Sequence, residues 1–119
     1  IQNRIDRVVD YINECNFDPK SRAWKKADLL TLFVELDRAM KDDAFDVQPH
    51  EVVESLDGFY IRVENASLGD NTIHGIYYKA ALQASNDRIN RVRRGVIIDC
   101  LLHRFDHQRI LEELQRQGL

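Results

Sequence analysis

The feature that most constrains this chain is an apolar stripe that recurs at helical spacing through residues 24–40. Residues three and four apart share one face of an α helix, so a continuous stripe predicts a helix that buries one face. The stripe consists of Leu29, Leu32, Phe33, Leu36 and Met40. Leu30 and Val34 are expected to widen it. We therefore expect this segment to be the central core helix.

Other segments show the same periodicity and predict further helices. These segments are residues 1–15, 49–63, 72–84, 87–104 and 108–117. Pro49 suits a first helical turn, and Ser85 and Asn86 supply a turn between the fourth and fifth helices. In the fifth helix the expected inward stripe is Ile89, Val92, Val96 and Cys100. The predicted fold class is all-α, a bundle of five to six helices that cross at steep angles (an orthogonal bundle).

Residues 57–64 allow two interpretations. Asp57 and Gly58 form a common turn dipeptide, and residues 59–63 have the composition of a strand. A strand without a partner leaves its backbone donors and acceptors unpaired, and the rest of the sequence offers no second strand. We therefore expect a helix here.

One domain is expected from 119 residues, because a chain of this length builds a single hydrophobic core. The composition, 44% apolar and 31% charged, is typical of a folded protein. A net charge of −3 argues against a global cationic field for nucleic acid. No apolar run approaches the roughly 20 residues that span a membrane, which favours a cytoplasmic location. Because the chain opens in helical phase without Met, residues 1–119 are expected to be a single helical domain from a longer protein.

The fifth predicted helix, residues 87–104, is the most basic segment. Residues 86–104 hold five arginines against two aspartates. Such a helix after a short turn resembles the recognition helix of a helix-turn-helix, in which arginines hold phosphates. Arg88, Arg91 and Arg94 are therefore predicted nucleic-acid contacts. The alternative is a solvated basic face, because the preceding turn lacks glycine and the apolar second half of the helix is typical of a core element.

Arg93 differs from the other arginines because it lies in line with apolar positions of the same helix. It follows Ile89 by four residues and precedes Ile97 by four. One interpretation is an arginine whose stem packs and whose guanidinium reaches solvent. The favoured interpretation is a structural ion pair with the acidic loop 42–46, because a planar guanidinium can clamp carboxylates.

Cys100, His103 and His107 are the metal candidates of the sequence. Positions i, i+3 and i+7 share one face of a helix, and zinc binds thiolates and imidazoles. No fourth ligand or paired cysteine cluster accompanies them, so no metal and no cofactor are predicted. Cys15 lies, like Cys100, in an apolar helical pattern that is typical of a reduced, buried thiol. The sequence also lacks nucleotide-binding glycine loops, an HExxH motif and EF-hand loops, so we predict no enzymatic activity in this chain.

Two stretches of the chain, taken together, extend this prediction. The stretches are residues 24–36 (WKKADLLTLFVEL) and residues 77–88 (YYKAALQASNDR) running into residues 93–102 (RRGVIIDCLL). Together they are similar to the helical C-terminal part of GmrSD-like bacterial proteins, which begin with a ParB/sulfiredoxin-like domain and were long described as being of unknown function. The resemblance implies a role in bacterial restriction of foreign DNA and hence in phage defence.

The resemblance also implies that catalysis lies outside this chain. In that family, nucleotide hydrolysis or DNA nicking belongs to the ParB-like domain, and in some members to an HNH nuclease. The Asp-Gly-Gln-Gln-Arg signature of the ParB-like domain is absent, and residues 106–109 (DHQR) only echo it. This chain would then be a non-catalytic helical module that packs against an N-terminal ParB-like domain of the same polypeptide, with Arg88, Arg91 and Arg94 facing DNA.

The alternative function is a free-standing helical interaction or DNA-binding module that uses the basic helix 87–104. An exposed apolar patch would favour a module that packs on another domain. Exposure of Arg88, Arg91 and Arg94 on a convex face without such a patch would favour the DNA-binding module.

Overall fold

Six α helices and one short 3₁₀ turn form the described part of the chain, which in this computed structural model is residues 3–82 and 87–119. They are α1 (Arg4–Cys15), the 3₁₀ turn (Arg22–Trp24), α2 (Lys26–Met40), α3 (Pro49–Glu64), α4 (Ile73–Leu82), α5 (Arg88–Leu102) and α6 (His107–Arg116). These residues contain no strand, so the predicted all-α fold is confirmed. Residues 57–64 lie in the second half of α3 and are helical, as expected. The predicted turn at Ser85 and Asn86 lies outside the described residues.

Local side-chain chemistry determines where several helices begin. The preceding residue accepts a hydrogen bond from a first-turn N–H in three cases: Asn3 before α1, Asp87 before α5 and Asp106 before α6. Such caps satisfy backbone donors that have no partner inside the helix. At α3, Pro49 occupies the first turn, and Glu51 Oε1 accepts the N–H of Gln48 at 3.0 Å. The predicted start of α3 at this proline is therefore correct.

The core lies where α2 and α5 pack side by side, with α3, α4 and α6 against them. Every helix contributes buried apolar side chains to one continuous cluster. Its fully buried members include Leu32 and Leu36 of α2, Leu56 of α3, Tyr77 of α4, Ile97 and Ile98 of α5, and Ile110 of α6. Gly95 allows α2 to come close to α5, because a Cβ at this position would lie 2.8 Å from Glu35 Oε2. The expectation that α2 is a core helix is confirmed.

A buried polar network joins three elements inside this core. The hydroxyl of Tyr77 donates a 2.6 Å hydrogen bond to Asp28 Oδ1, and Arg22 Nε lies 3.1 Å from Asp28 Oδ2. Asp28 and Tyr77 are almost completely buried. A buried carboxylate is costly unless it is paired and hydrogen-bonded, and here it is both. The network therefore fixes α4 and the 3₁₀ turn against the start of α2.

The rotation of α2 and α5 about their axes differs from the sequence prediction, and four apolar residues expected to be buried are exposed. Leu30 and Val34 do not widen the buried stripe of α2, because both are exposed on its other side. On α5, Ile89 and Val92 are also exposed. The second half of that helix supplies the buried residues instead. These four side chains, on the first half of α5 and the outer side of α2, therefore do not contribute to the core.

None of the helices in residues 3–82 and 87–119 is both long enough and apolar enough to cross a membrane.

Candidate functional site

A groove of about 860 Å³ runs between α2 and the first half of α5. Its walls come from one side of each helix, and the segment after α6 contributes Gln117. The α2 wall consists of Lys26, Ala27, Leu30, Thr31, Val34, Glu35 and Arg38, and the α5 wall of Arg88, Arg91, Val92, Arg94, Gly95 and Val96. The groove therefore lies beside the contact between α2 and α5, where Gly95 faces Glu35.

Three aliphatic side chains form what we call the apolar strip of the groove. They are Leu30, Val34 and Val92, with exposed fractions of 60%, 42% and 37%. Exposed aliphatic residues scattered singly are ordinary on protein surfaces, but a contiguous patch with a polar border is typical of an interaction site. Here all three residues line one concavity. A partner that covers the apolar strip would therefore gain about 25 cal/mol of binding free energy for each Å² of apolar surface that it removes from water.

Four cations form what we call the basic rim of the groove. Lys26 and Arg38 stand on the α2 side, Arg88 and Arg91 stand on the α5 side, and all four are exposed. Like charges around an apolar surface raise the local potential and attract carboxylates, with a range set by the Debye length. Arg88 and Arg91 are therefore as accessible as the sequence predicted, but they border a groove rather than a purely polar convex face.

Arg94 does not share this exposure, and the prediction of an exposed contact at this position is wrong. Only 3% of its surface is accessible, and Nη1 donates a 2.9 Å hydrogen bond to the carbonyl oxygen of Ala80 on α4. A guanidinium held inside the protein by a backbone carbonyl cannot reach a phosphate without breaking that bond. Arg94 instead connects α5 to α4.

Arg93 does not form the predicted ion pair with the acidic loop 42–46. Its guanidinium is half-buried and donates to Asn90 Oδ1 at 3.3 Å, and it has no ion pair among the described residues. The loop lies elsewhere, since the Phe45 ring packs against His103, which caps the far end of α5. Ten residues of helix separate positions 93 and 103, about 15 Å at the helical rise.

Glu35 is the one carboxyl group among the residues that line the groove. It is buried against Gly95, and burial raises the pKa of this carboxyl, an effect that Arg38 opposes and Asp99 reinforces. Arg38 Nη1 lies 3.4 Å from Oε1, although that oxygen has no hydrogen bond among the described residues. Among the residues that line the groove, five side chains are basic and one is acidic. The groove is strongly cationic in a protein whose overall charge is −3.

The metal candidates Cys100, His103 and His107 do not come together. α5 ends at Leu102, and Arg104 adopts a left-handed conformation with φ of 64°, so the three residues do not share one continuous helix. The backbone hydrogen bonds from Phe105 to Cys100 and from Arg104 to Leu101 close this corner in the manner of a Schellman motif. Across residues 3–82 and 87–119, no group of three or more metal-ligating side chains is suitably placed.

Each member of this trio has another environment. His103 Nδ1 lies 2.8 Å from the carbonyl oxygen of Asp99, and the His107 ring packs edge-on against His74 of α4, with centroids 5.0 Å apart. Cys100 and Cys15 are free, buried thiols, and burial raises their pKa to about 11 and about 12 respectively. Both thiols are therefore protonated near neutral pH and are poor nucleophiles.

The sequence interpretation missed half of the groove. Lys26 and Arg38 were not recognised as partners of the arginines on α5, and Leu30 and Val34 were assigned to the core. A signal was present, because Leu30 and Val34 lie outside the main stripe of α2 and a helix that packs on one side exposes such positions. Which helix would stand beside them depends on the tertiary arrangement.

Comparisons with protein-family models, with curated proteins and with solved structures found no match to this chain.

Proposed function

We propose that this chain is a non-catalytic docking module, which binds a partner polypeptide in the groove between α2 and α5. The partner surface would be apolar at its centre and acidic at its edges. The observation that carries the proposal is the position of the apolar strip, Leu30, Val34 and Val92, inside the basic rim. Protein interfaces commonly combine an apolar centre with a polar border, and complementary charge gives the encounter its specificity.

The same observation makes a polypeptide a better partner than DNA. A DNA-binding surface places cations and hydrogen-bond donors against phosphates, and an aliphatic strip offers a phosphate neither of these. The burial of Arg94 also leaves two of the three predicted arginines on the surface. DNA binding remains the second candidate because Arg88 and Arg91 are exposed on neighbouring positions of α5.

The proposal assigns no chemistry to the chain itself and places it in the cytoplasm, where its two free thiols stay reduced. A restriction role of the GmrSD-like type is compatible with it, because the partner would then be a catalytic ParB-like domain of the same polypeptide. That restriction role rests on the resemblance alone. The docking function rests on the groove and would stand with any partner of the stated chemistry.

An unbiased peptide selection tests the docking function without assuming a partner. A displayed library of random peptides is selected on the immobilised domain, with counter-selection on the Leu30→Glu variant. We expect enriched peptides that are apolar and acidic and that bind the Leu30→Glu variant at least about tenfold more weakly. Ile61→Glu is the matched control, because Ile61 is exposed to 63% on α3, against 60% for Leu30, and does not line the groove. No enrichment, or equal loss in both variants, would overturn the proposal.

The DNA candidate needs its own measurement. Duplex DNA is titrated onto the domain across a salt series, with an Arg88→Ala and Arg91→Ala double variant as comparison. Two phosphate contacts would contribute a slope of only about −2 in log K against log salt. We expect no specific binding. Tight, salt-sensitive binding that disappears in the double variant, together with an empty peptide selection, would replace the docking function with DNA binding.

A further inference from the structure

Each wall of the groove is formed by one face of a helix. On α2, residues 27, 30, 34 and 38 line the groove at steps of three and four, so they form one line along the helix. On α5, residues 88, 91, 92 and 95 stand at positions i, i+3, i+4 and i+7, which share one face of that helix. The α2 line extends from residue 27 to residue 38, eleven helical rises of 1.5 Å each, or about 17 Å. The groove is thus an elongated trough between two neighbouring helices.

A peptide bound in the groove could be an extended strand, a polyproline segment or a helix, and the residues that line the groove favour one of these. An extended peptide commonly adds a strand to a sheet edge, but the described residues contain no strand. A polyproline segment docks between aromatic side chains, and the residues that line this groove include no aromatic ring. An amphipathic helix uses an aliphatic trough into which side chains at i, i+3, i+4 and i+7 can pack. A helix is therefore the conformation that fits.

The positions of the cations around the groove predict which charge the flanks of this bound helix carry. Lys26 and Arg38 stand near opposite ends of the α2 wall, and Arg88 and Arg91 stand on the α5 wall. A helix that lies lengthwise over Leu30, Val34 and Val92 would bring both of its flanks near cations. Carboxylates on those flanks would be attracted, and lysines would be repelled.

We infer that the natural occupant of this groove is a single amphipathic α helix of about three turns, with aliphatic residues on one face and acidic residues on both flanks. This inference rests on the proposed docking function and adds the conformation and the charge of the partner segment. The helix would lie along the trough as a third neighbour of α2 and α5, with its aliphatic face on the apolar strip and its carboxylates at the basic rim.

Three synthetic peptides of equal length test the inference. The first has leucines at helical spacing and glutamates on both flanks. The second replaces the glutamates with lysines. The third keeps the composition of the first but alternates leucine and glutamate, which removes the helical apolar face. Binding to the intact chain is measured by fluorescence anisotropy, and helix formation in the bound peptide by far-ultraviolet circular dichroism.

We expect the first peptide to bind and become helical, and the other two to bind at least about tenfold more weakly. Leu30→Glu should abolish binding of the first peptide, whereas Ile61→Glu should leave it unchanged. Unfolding curves of both variants provide the folding control, and their side chains are exposed in the native chain to nearly the same extent. High salt should weaken binding of the first peptide, because salt screens the attraction between the exposed cations of the basic rim and the flanking acids of the peptide.

The other outcomes separate this inference from the proposed function. If the alternating peptide binds as tightly as the helical one and both depend on Leu30, the docking function stands and the helix inference is wrong. If no peptide of this set binds while the library yields peptides that depend on Leu30, the same conclusion follows. If the chain self-associates and Leu30→Glu makes it monomeric, the occupant is a second copy and the inference is overturned. If the library is also empty, both proposals fail.

Discussion

Among the five glycines of the chain, Gly75 is the one at which an added Cβ would lie closest to other atoms. It lies in the first turn of α4, where a Cβ would be 2.1 Å from the carbonyl oxygen of Asp70 and 2.5 Å from Asp70 Cβ. No real contact is that short, and the obstacle includes backbone, so the loop before α4 would have to move. Glycine is thus required here by the close approach of the preceding loop.

Replacing Gly75 with alanine should lower the free energy of unfolding by about 1–3 kcal/mol, the usual cost of overpacking. Gly58→Ala is the control, because Gly58 is exposed in the middle of α3 with no heavy atom within 4 Å of the added Cβ. That change should raise stability by about 0.5–1 kcal/mol through helix propensity. Urea unfolding measures both. A stable Gly75→Ala variant would mean that the loop does not rest on α4.

His74 is the buried titratable group with the clearest consequence for pH dependence. Its ring packs on Phe59, with centroids 5.4 Å apart, and edge-on against His107. Nδ1 lies 3.3 Å from Thr72 Oγ1, and Nε2 has no hydrogen-bond partner among the described residues. Burial, and then the charges of His107 and Arg62, lower the pKa of His74 below its ordinary 6.5, while Asp70 acts in the opposite direction.

This lowered pKa makes the folded state less stable in mild acid. The unfolded chain takes up the His74 proton at a higher pH than the folded chain, so stability is complete above the unfolded pKa and falls as pH decreases through it. We expect the wild-type protein to lose stability relative to His74→Gln as the pH decreases through the ordinary histidine pKa of 6.5. The difference between the two unfolding curves removes contributions that both share, including that of Glu35. Parallel curves for wild type and His74→Gln would contradict this account.

At the scale of the elements, periodicity was a sufficient guide to where the helices lie but not to how each one is rotated. All six were predicted, because the apolar residues of each recur every three to four positions. In α5 the second half is apolar nearly all round, so the sequence does not define which side faces the core. A rotation by one position, about 100°, decides whether Arg93 or Arg94 is buried.

The corner between α5 and α6 could not be predicted for a different reason. Left-handed backbone is typical of glycine, and the sequence has Arg104 at this position. The spacing of Cys100, His103 and His107 therefore appeared to be that of one helical face, although the predicted helix ended at residue 104, and this spacing produced the metal candidates. The α6 terminus is the contrasting case, because Gly118 has φ of 74° and the predicted end of the chain's last helix was close to the observed Arg116.

The polar network of Asp28, Tyr77 and Arg22 makes the packing of three elements testable. Tyr77→Phe removes the hydrogen bond to a buried carboxylate and leaves Asp28 with Arg22 alone. We expect a loss of about 1.5–3 kcal/mol in the free energy of unfolding. Tyr78→Phe, one residue along α4 and half-buried, should change it by less than about 0.5 kcal/mol. Equal effects in denaturant titrations would show that the network does not hold α4 to α2.

At the scale of the whole molecule, α2 has two opposed sides with different environments. Leu32 and Leu36 are fully buried between the other helices, whereas Leu30 and Val34 face the open groove. The candidate site could not be located from the sequence because it is created by two helices that residues 41–87 separate in the chain. Only the exposed arginines of α5 were visible as an isolated basic segment, and their neighbours on α2 were not.

These two sides of α2 should respond differently to substitution, and this difference decides whether the groove belongs to the fold or to function. Leu32→Ala should cost about 2–5 kcal/mol, because it leaves a cavity in a closely packed core. The double change Leu30→Gln and Val34→Gln should cost less than about 1 kcal/mol, because both side chains are already largely in water. Thermal and urea unfolding of the three proteins provide the comparison. If the double variant unfolded as readily as Leu32→Ala, the strip would be part of the core, and docking in the groove would lose its physical basis. If it remained as stable as wild type, the exposed aliphatic side chains would be dispensable for folding, which is the property expected of a surface that serves a partner.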